Sequence, residues 1–261
     1  MNLILSPHFD DAVLSLGGLL AQEGKNTVVA TFFAGAPQTP LRKAWDIDSG
    51  FRDSHEAMRE RVKENSNALC SLGVVTNNIR NYSYLDNQYR EGRTYEGPDK
   101  KELTAAIEKD VETLVAECGD GLTIFAPGVP TGFIEHVDHK IIKQAALNVA
   151  QKQQPRINYF LYQDLPYSCE LLNQTSSNPD YKQLENRITQ GKFPVTQKPI
   201  PFSKGEMGKK VRAIRLYKSQ LVPLEKTWRE FLPKIKLLAD LQAKALQLDA
   251  AYCEVVYQIT P

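Results

Sequence analysis

The sequence predicts an α/β chain with a mostly parallel central sheet and helices on both faces. Two observations carry that expectation: the chain opens with a strand, a helix and a second strand, and further short apolar runs then alternate with longer stretches of helical spacing. In sheets of this kind, ligands bind beyond the carboxyl ends of the strands.

Residues 3–5 form an apolar run stopped by Ser6-Pro7, and residues 12–23 have helical apolar spacing with Gly24 placed for a left-handed cap. Residues 27–33 are β-branched and aromatic, the signature of a buried strand. Residues 37–53 are rich in Pro, Gly and charge and read as a loop bordering a site. A long helix follows over 54–72, and 78–98 reads as loop. Helices are predicted over 101–118 and 140–153, with strands over 122–126, halted by Pro127, and over 157–162. Residues 176–201 read as a polar surface excursion. Two helices, 205–221 and 224–248, then precede a last strand over 254–259.

Bulk composition narrows the function. The 32 basic and 31 acidic residues give a net charge of +1, which supplies no electrostatic case for nucleic acid or an anionic membrane as partner. A small neutral or zwitterionic ligand fits better. No segment approaches the roughly 20 apolar residues of a membrane span. The amino terminus is too short in apolar residues and too poor in basic ones for a signal peptide. Cys70, Cys118, Cys169 and Cys253 show no Cys-x-x-Cys spacing, so a reducing cytoplasm is the expected location, and homo-oligomerisation is left open.

Chemistry concentrates in two clusters. His8, Asp10 and Asp11 follow the first strand, and Glu135, His136, Asp138 and His139 follow a later one. Parallel strand ends converge on one edge, so the clusters can meet. Imidazole and carboxylate ligands suit Zn²⁺, and a set of two histidines and one carboxylate leaves positions open for water and substrate. At a helix start, the adjacent Asp10 and Asp11 diverge by about 100°, so one can ligate while the other addresses water. Each motif also has a plainer reading: Asp10-Asp11 as a helix cap, His136 and His139 as a solvated first turn, and His55 as a polar helix residue. The pairing of the clusters, using three of only four histidines, favours the metal site.

With these residues the sequence resembles the PIG-L family of N-acetylglucosaminyl de-N-acetylases, also called LmbE-like. Its Pro/Ala-His-Pro-Asp-Asp motif stands here as Pro7-His8-Phe9-Asp10-Asp11, and its His-x-Asp-His motif as His136-Val137-Asp138-His139. Weaker similarity runs through Arg61–Glu64, Tyr84-Leu85-Asp86 with Tyr89-Arg90, Tyr162 to Tyr167, and Lys210 to Gln220, where Leu216 and Tyr217 read as core. Phe9, Ala12 and Ile134 depart from the pattern without removing a ligand.

The resemblance implies a Rossmann-like three-layer sandwich, a single domain over residues 1–261, and zinc, with Fe²⁺ or another divalent ion as alternatives. It implies His8, Asp11 and His139 as ligands, Asp10 as general base for a metal-activated water, and His136 as the group that steadies the oxyanion. Asp138 is expected to orient a ligating imidazole. Arg61, Asp86, Tyr89 and Arg90 are candidates for binding an N-acetylated amino sugar or conjugate, with surface ion pairing as the plainer reading of each arginine. The competing functions are a zinc amidase acting on a larger acyl or thiol conjugate and a non-catalytic sugar binder. The filled ligand and base positions speak against the second. A dinucleotide enzyme is disfavoured because Gly17-Gly18 lie inside a helix.

Overall fold

Leu3, Ile4 and Leu5 are fully buried because the strand they form lies inside the sheet with both faces covered. The structure, a computed structural model, describes residues 1–90, 98–129, 136–152, 157–169 and 193–260. The strands are β1 (Asn2–Ser6), β2 (Thr27–Thr31), β3 (Ile79–Asn81), β4 (Thr123–Val129), β5 (Asn158–Gln163), β6 (Val195–Phe202) and β7 (Tyr252–Ile259). The described helices are α1 (Asp11–Glu23), α2 (Ala44–Asp48), α3 (Ser54–Ser71), α4 (Pro98–Cys118), α5 (Val137–Lys152), α6 (Lys204–Ile214), α7 (Lys218–Thr227) and α8 (Phe231–Ala245).

The seven strands form one sheet in the order β3-β2-β1-β4-β5-β7-β6. The first five are parallel; β7 pairs antiparallel with β5, and β6 antiparallel with β7. The expected mixed α/β architecture is therefore present, with its parallel part at the amino-terminal side. Strand order reverses direction at β1, which lies between β2 and β4. The carboxyl ends of β1 and β4 thus flank a topological switch point, where such sheets bind ligands.

Several local expectations are corrected. Gly24 is right-handed at φ −52, and its lack of a side chain serves close approach instead, since a Cβ there would lie 2.3 Å from the Leu72 carbonyl oxygen. Pro127 does not halt β4, because β1 pairs only as far as Phe125 and the register against β5 shifts between Pro127 and Val129. The helix expected over 205–221 is broken at Tyr217, whose backbone at ψ 57 leaves helical space. The helix expected over 224–248 is interrupted before Phe231. Glu230 is left-handed at φ 59, and Pro233 could not accommodate the Arg229 carbonyl in a continuous helix. Of the 176–201 excursion, residues 176–192 lie outside the described residues, whereas Val195–Phe202 is an edge strand that tolerates Pro199 and Pro201.

Helix α1 is bent at Leu16, where φ −122 and ψ 26 interrupt the hydrogen-bond ladder. The bend creates a second helix start inside the protein. Glu254 on β7 satisfies it, its carboxylate accepting from the N–H groups of Gly18 (2.7 Å) and Leu19 (3.0 Å). Lys210 donates to the same carboxylate at 2.7 Å and is 1% exposed. Gly17 makes room for it, since a Cβ there would lie 2.6 Å from Lys210 Cγ.

Glu254→Ala should cost about 3–5 kcal/mol, because it strands a buried ammonium and two helix N–H groups. A urea unfolding curve displaced by less than about 1 kcal/mol would contradict this role.

Candidate active site

The loop after β1 is held from both sides. Ser6 Oγ donates to the His8 carbonyl at 2.6 Å and accepts from the Ala12 N–H at 3.1 Å, so a serine caps the start of α1. Asp10 occupies the N-cap position but makes no capping hydrogen bond, so the plainer reading of the aspartate pair as caps does not hold for it. The Tyr217 hydroxyl lies 3.0 Å from the Phe9 carbonyl oxygen and 2.9 Å from Asn65 Oδ1. Tyr217 is buried, as its reading as core requires, and it secures the motif from behind.

Across the switch point, α5 begins at Val137, earlier than the sequence predicts, and puts Asp138 and His139 in its first turn. Residues 130–135 lead into it and, with Ile134 and Glu135, lie outside the described residues. The ring centroid of His8 is 4.9 Å from that of His136 and 5.4 Å from that of His139. The two sequence clusters therefore form one site.

Its centre is Asp11 Oδ2. This oxygen accepts the His8 backbone N–H at 2.7 Å, and His8 Nδ1 and His139 Nε2 flank it at 3.2 and 3.3 Å. The far nitrogen of each imidazole faces another buried carboxylate: His8 Nε2 lies 3.1 Å from Asp138 Oδ2, and His139 Nδ1 lies 3.3 Å from Asp164 Oδ1. With the protons on those far nitrogens, the lone pairs of His8 Nδ1 and His139 Nε2 point toward Asp11. Neither nitrogen of the buried His139 has a well-aligned hydrogen-bond partner. His8, His136 and His139 also bring ring nitrogens within 4.8 Å of one another, as do ligand atoms of His8, Asp86 and Asp138. The cluster is thus a His/Asp site able to hold a metal ion.

Its electrostatics ask for positive charge. Burial opposes a charge on His8, but hydrogen bonds to Asp11 and Asp138 outweigh it and hold its pKa well above the ordinary value. Burial opposes a charge on His139 too, yet Asp11 and Asp164 push its pKa up to about 10. The carboxylates draw protons onto both imidazoles, which is the demand a bound cation meets.

Asp10 is pushed up to about 6, first by burial and then by the Asp11 charge beside it. His136 is pushed down to about 4 by burial and by the charges of His8 and His139. The Asp138 backbone N–H lies 3.3 Å from His136 Nδ1, so the neutral ring carries its proton on Nε2.

A cavity of about 310 Å³ opens onto this cluster, with His8, Asp10, Asp11, Asp86 and His136 in its lining. Among the proposed substrate contacts, Arg61 also lines it but is 6% exposed and pairs with the buried Asp46 at 3.0 Å. Tyr89 is 3% exposed and donates to Asp46 at 2.8 Å, so its ring packs inside rather than offering a face to a sugar. Arg90 donates to Asp138 and to the Leu85 carbonyl and lies over the Phe33 ring, so it holds the site together from behind. Both arginines are in buried ion pairs, not the surface pairs of the plainer reading. His55 lies apart, with Nε2 2.6 Å from the Pro37 carbonyl oxygen.

Sequence reasoning missed Asp164. The segment around it was visible as a similar stretch, but only the end of β5 beside that of β4 shows that it reaches His139. It also missed Trp45, Tyr167 and Trp228 on the cavity wall.

A family model described as GlcNAc-PI de-N-acetylase, PIG-L, matches residues 3–150. The chain belongs to the PIG-L family. A 2'-N-acetylparomamine deacetylase of Streptomyces fradiae is 28% identical over 230 residues, which is 84% of this chain and 73% of that protein. The teicoplanin deacetylase Orf2, in its zinc-inhibited form, superposes with a TM-score of 0.79 at 25% identity, covering 99% of this chain and 97% of that one. The A40926 pseudoaglycone deacetylase Dbv21 gives 0.75 at 27% identity, covering 99% and 96%. As a member of this PIG-L group, the protein is a hydrolytic N-deacetylase. No helix among the described residues is long and apolar enough to cross a membrane.

Asp164→Ala should weaken metal binding by about 10–100-fold, since it removes the acceptor that orients His139. Competition against a chelator of known affinity measures this, and an unchanged affinity would refute the assignment.

Proposed function

We propose that this PIG-L protein hydrolyses the acetamide of an N-acetylated amino sugar or sugar conjugate at a divalent metal, with zinc the ion of first choice. The observation that carries this reading is the meeting of His8 Nδ1 and His139 Nε2 on Asp11 Oδ2, beside an uncapped Asp10 that faces the same cavity. His8, Asp11 and His139 would hold the ion. The alternative trio with His136 in place of Asp11 is less favoured, because it leaves the buried Asp11 charge uncompensated and uses the ring best placed to meet substrate. When bound, the ion supplies Lewis acidity, easing deprotonation of water and polarising the amide carbonyl.

The remaining work falls to the chain. Asp10, with its pKa raised toward neutrality, takes the proton of the attacking water and returns it to the nitrogen as the C–N bond breaks. Acetate and a free amine result. His136 stays neutral and donates its Nε2–H to the oxyanion that forms on the acyl oxygen. Asp138 fixes His8, and Arg90 fixes Asp138.

Asp10→Ala should lower kcat by about 100-fold to 10,000-fold while the metal stays bound, and His136→Ala by about 100-fold to 1000-fold. His8→Ala and His139→Ala should lose the metal too. Metal analysis of each variant, with an acetate-release assay over N-acetylated amino sugars, checks the set, and near-normal turnover by Asp10→Ala would sink the proposed base. Release of a longer acid instead of acetate would move the protein to the amidase reading.

Asp10 works unprotonated, so kcat/KM should fall as pH drops through its pKa. The raised value of about 6, lowered further by a bound cation, puts that acid limb at or below about pH 6. A pH–rate profile still falling with acid well above that point would assign the limb to another group.

A further inference from the structure

Positive charge is concentrated on one side of the molecule. Residues 204–244, which form α6, α7 and α8, hold 11 lysines and arginines against 4 acidic residues, so this stretch carries +7 and the rest of the chain −6. The whole-chain balance of +1, which argued against an anionic surface as partner, conceals this division. The three helices share a side of the sheet, because their inward residues Ile214, Leu224, Phe231 and Leu238 pack with Ile4 and Val256 in one core layer. Leu3 and Val255, the strand neighbours of those two, face the opposite layer with Ile107 of α4 and Ile141 of α5.

The charge sits on the outer faces of these helices. Lys209, Arg212, Arg215, Lys218, Arg229 and Lys236 are all exposed, and among the described residues none of the six forms an ion pair. Lys210 differs, being buried and already neutralised by Glu254. The same side also exposes aliphatic side chains. Val222 of α7 is 61% exposed, and Leu237 and Leu241, one turn apart on α8, are 49% and 43% exposed. Ile47 joins them, 41% exposed on α2, which the Lys226–Asp48 pair ties to α7 at 2.7 Å. Of the six large apolar side chains exposed among the described residues, four therefore stand among these cations.

Cations and aliphatic side chains interleaved on one outer face match an anionic lipid surface, where the cations meet headgroups and the leucines enter the boundary of the acyl region. Nucleic acid matches less well, since Val222, Leu237 and Leu241 offer neither a hydrogen bond to a base edge nor a ring on which a base could stack. We infer that the outer face of α6, α7 and α8 docks the protein peripherally on an anionic phospholipid surface. No described helix is long and apolar enough to cross a bilayer, so the protein lies on that surface and does not span it. The docking face is separate from the His/Asp cluster, and the inference does not depend on the reaction there.

The test is co-sedimentation of the full chain with vesicles of phosphatidylcholine alone and with vesicles of equal parts phosphatidylcholine and phosphatidylglycerol. Binding should require the anionic lipid and weaken as ionic strength rises from about 0.1 M to about 1 M, which shortens the screening length from about 10 Å to about 3 Å. Each cation held near such a surface gains about fivefold in partitioning, so the triple variant Arg212→Gln, Lys218→Gln, Lys236→Gln should bind about 100-fold more weakly. The double variant Leu237→Ser, Leu241→Ser should bind about tenfold more weakly. A charge-matched variant of the opposite face, Lys101→Gln, Lys109→Gln, Lys152→Gln, should lose less than about threefold. All these side chains are exposed, and circular dichroism matching the parent protein identifies the folded variants. If one variant of the docking face does not fold, the other still tests it. Equal binding to both kinds of vesicle, no binding to the anionic ones, an equal loss in the opposite-face variant, or tighter binding to duplex DNA than to the anionic vesicles would overturn the inference.

Discussion

The site depends on one buried oxygen. Asp11 Oδ2 is where the His8 backbone, the His8 ring and the His139 ring meet. A carboxylate buried this deeply is costly unless compensated, and here the compensation comes from two imidazoles that are themselves turned by further carboxylates. Asp138 and Asp164 sit behind the two rings, so negative charge surrounds a small volume from three directions. The same arrangement explains the divergent behaviour of neighbouring groups: Asp11 is held well below the ordinary carboxylate range while Asp10, adjacent in sequence, is raised. The two adjacent aspartates diverge because only Asp11 faces the imidazoles.

The sheet makes that meeting possible, and the packing behind it makes it rigid. The ends of β1, β4 and β5 bring three chain segments to one edge, contributing Asp11, His139 and Asp164 respectively. Ser6, Tyr217 and Arg90 then fix the backbone and side chains that carry them. These supports are mostly buried and hydrogen-bonded to the main chain, which suits a centre whose geometry must survive the loss and gain of a charged ion.

The parallel half of the fold was legible because its strands are continuous apolar runs with a helix between them. Edge strands were not: Ile79–Asn81 has no apolar run, and Val195–Phe202 alternates exposed residues with two prolines. The helix break at Tyr217 was hidden for another reason, since apolar spacing continues across it, whereas Pro233 in the sequence already signalled the break before Phe231. For the site, His8, Asp10, Asp11, His136, Asp138 and His139 were readable because they are dense in sequence. Asp164 is a single aspartate among aromatics, and Trp45 and Trp228 lie 183 positions apart, so only the folded chain puts them on one wall. The polar groups of Tyr89 and Arg90 turn inward to Asp46 and Asp138, which nothing in the sequence signals.

The bent helix α1 has a consequence for the order in which the protein is made. Both motif clusters lie within the first 139 residues, but the carboxylate that closes the second helix start is Glu254, 236 positions beyond its partner Gly18. Tyr217 lies 208 positions beyond the Phe9 carbonyl that it secures. A nascent chain therefore exposes its histidines and aspartates long before it acquires the residues that hold them in place. Such distant closures are slow relative to local helix formation. The His/Asp cluster is accordingly a late product of folding: its residues come first, and their geometry waits for the carboxyl-terminal strand.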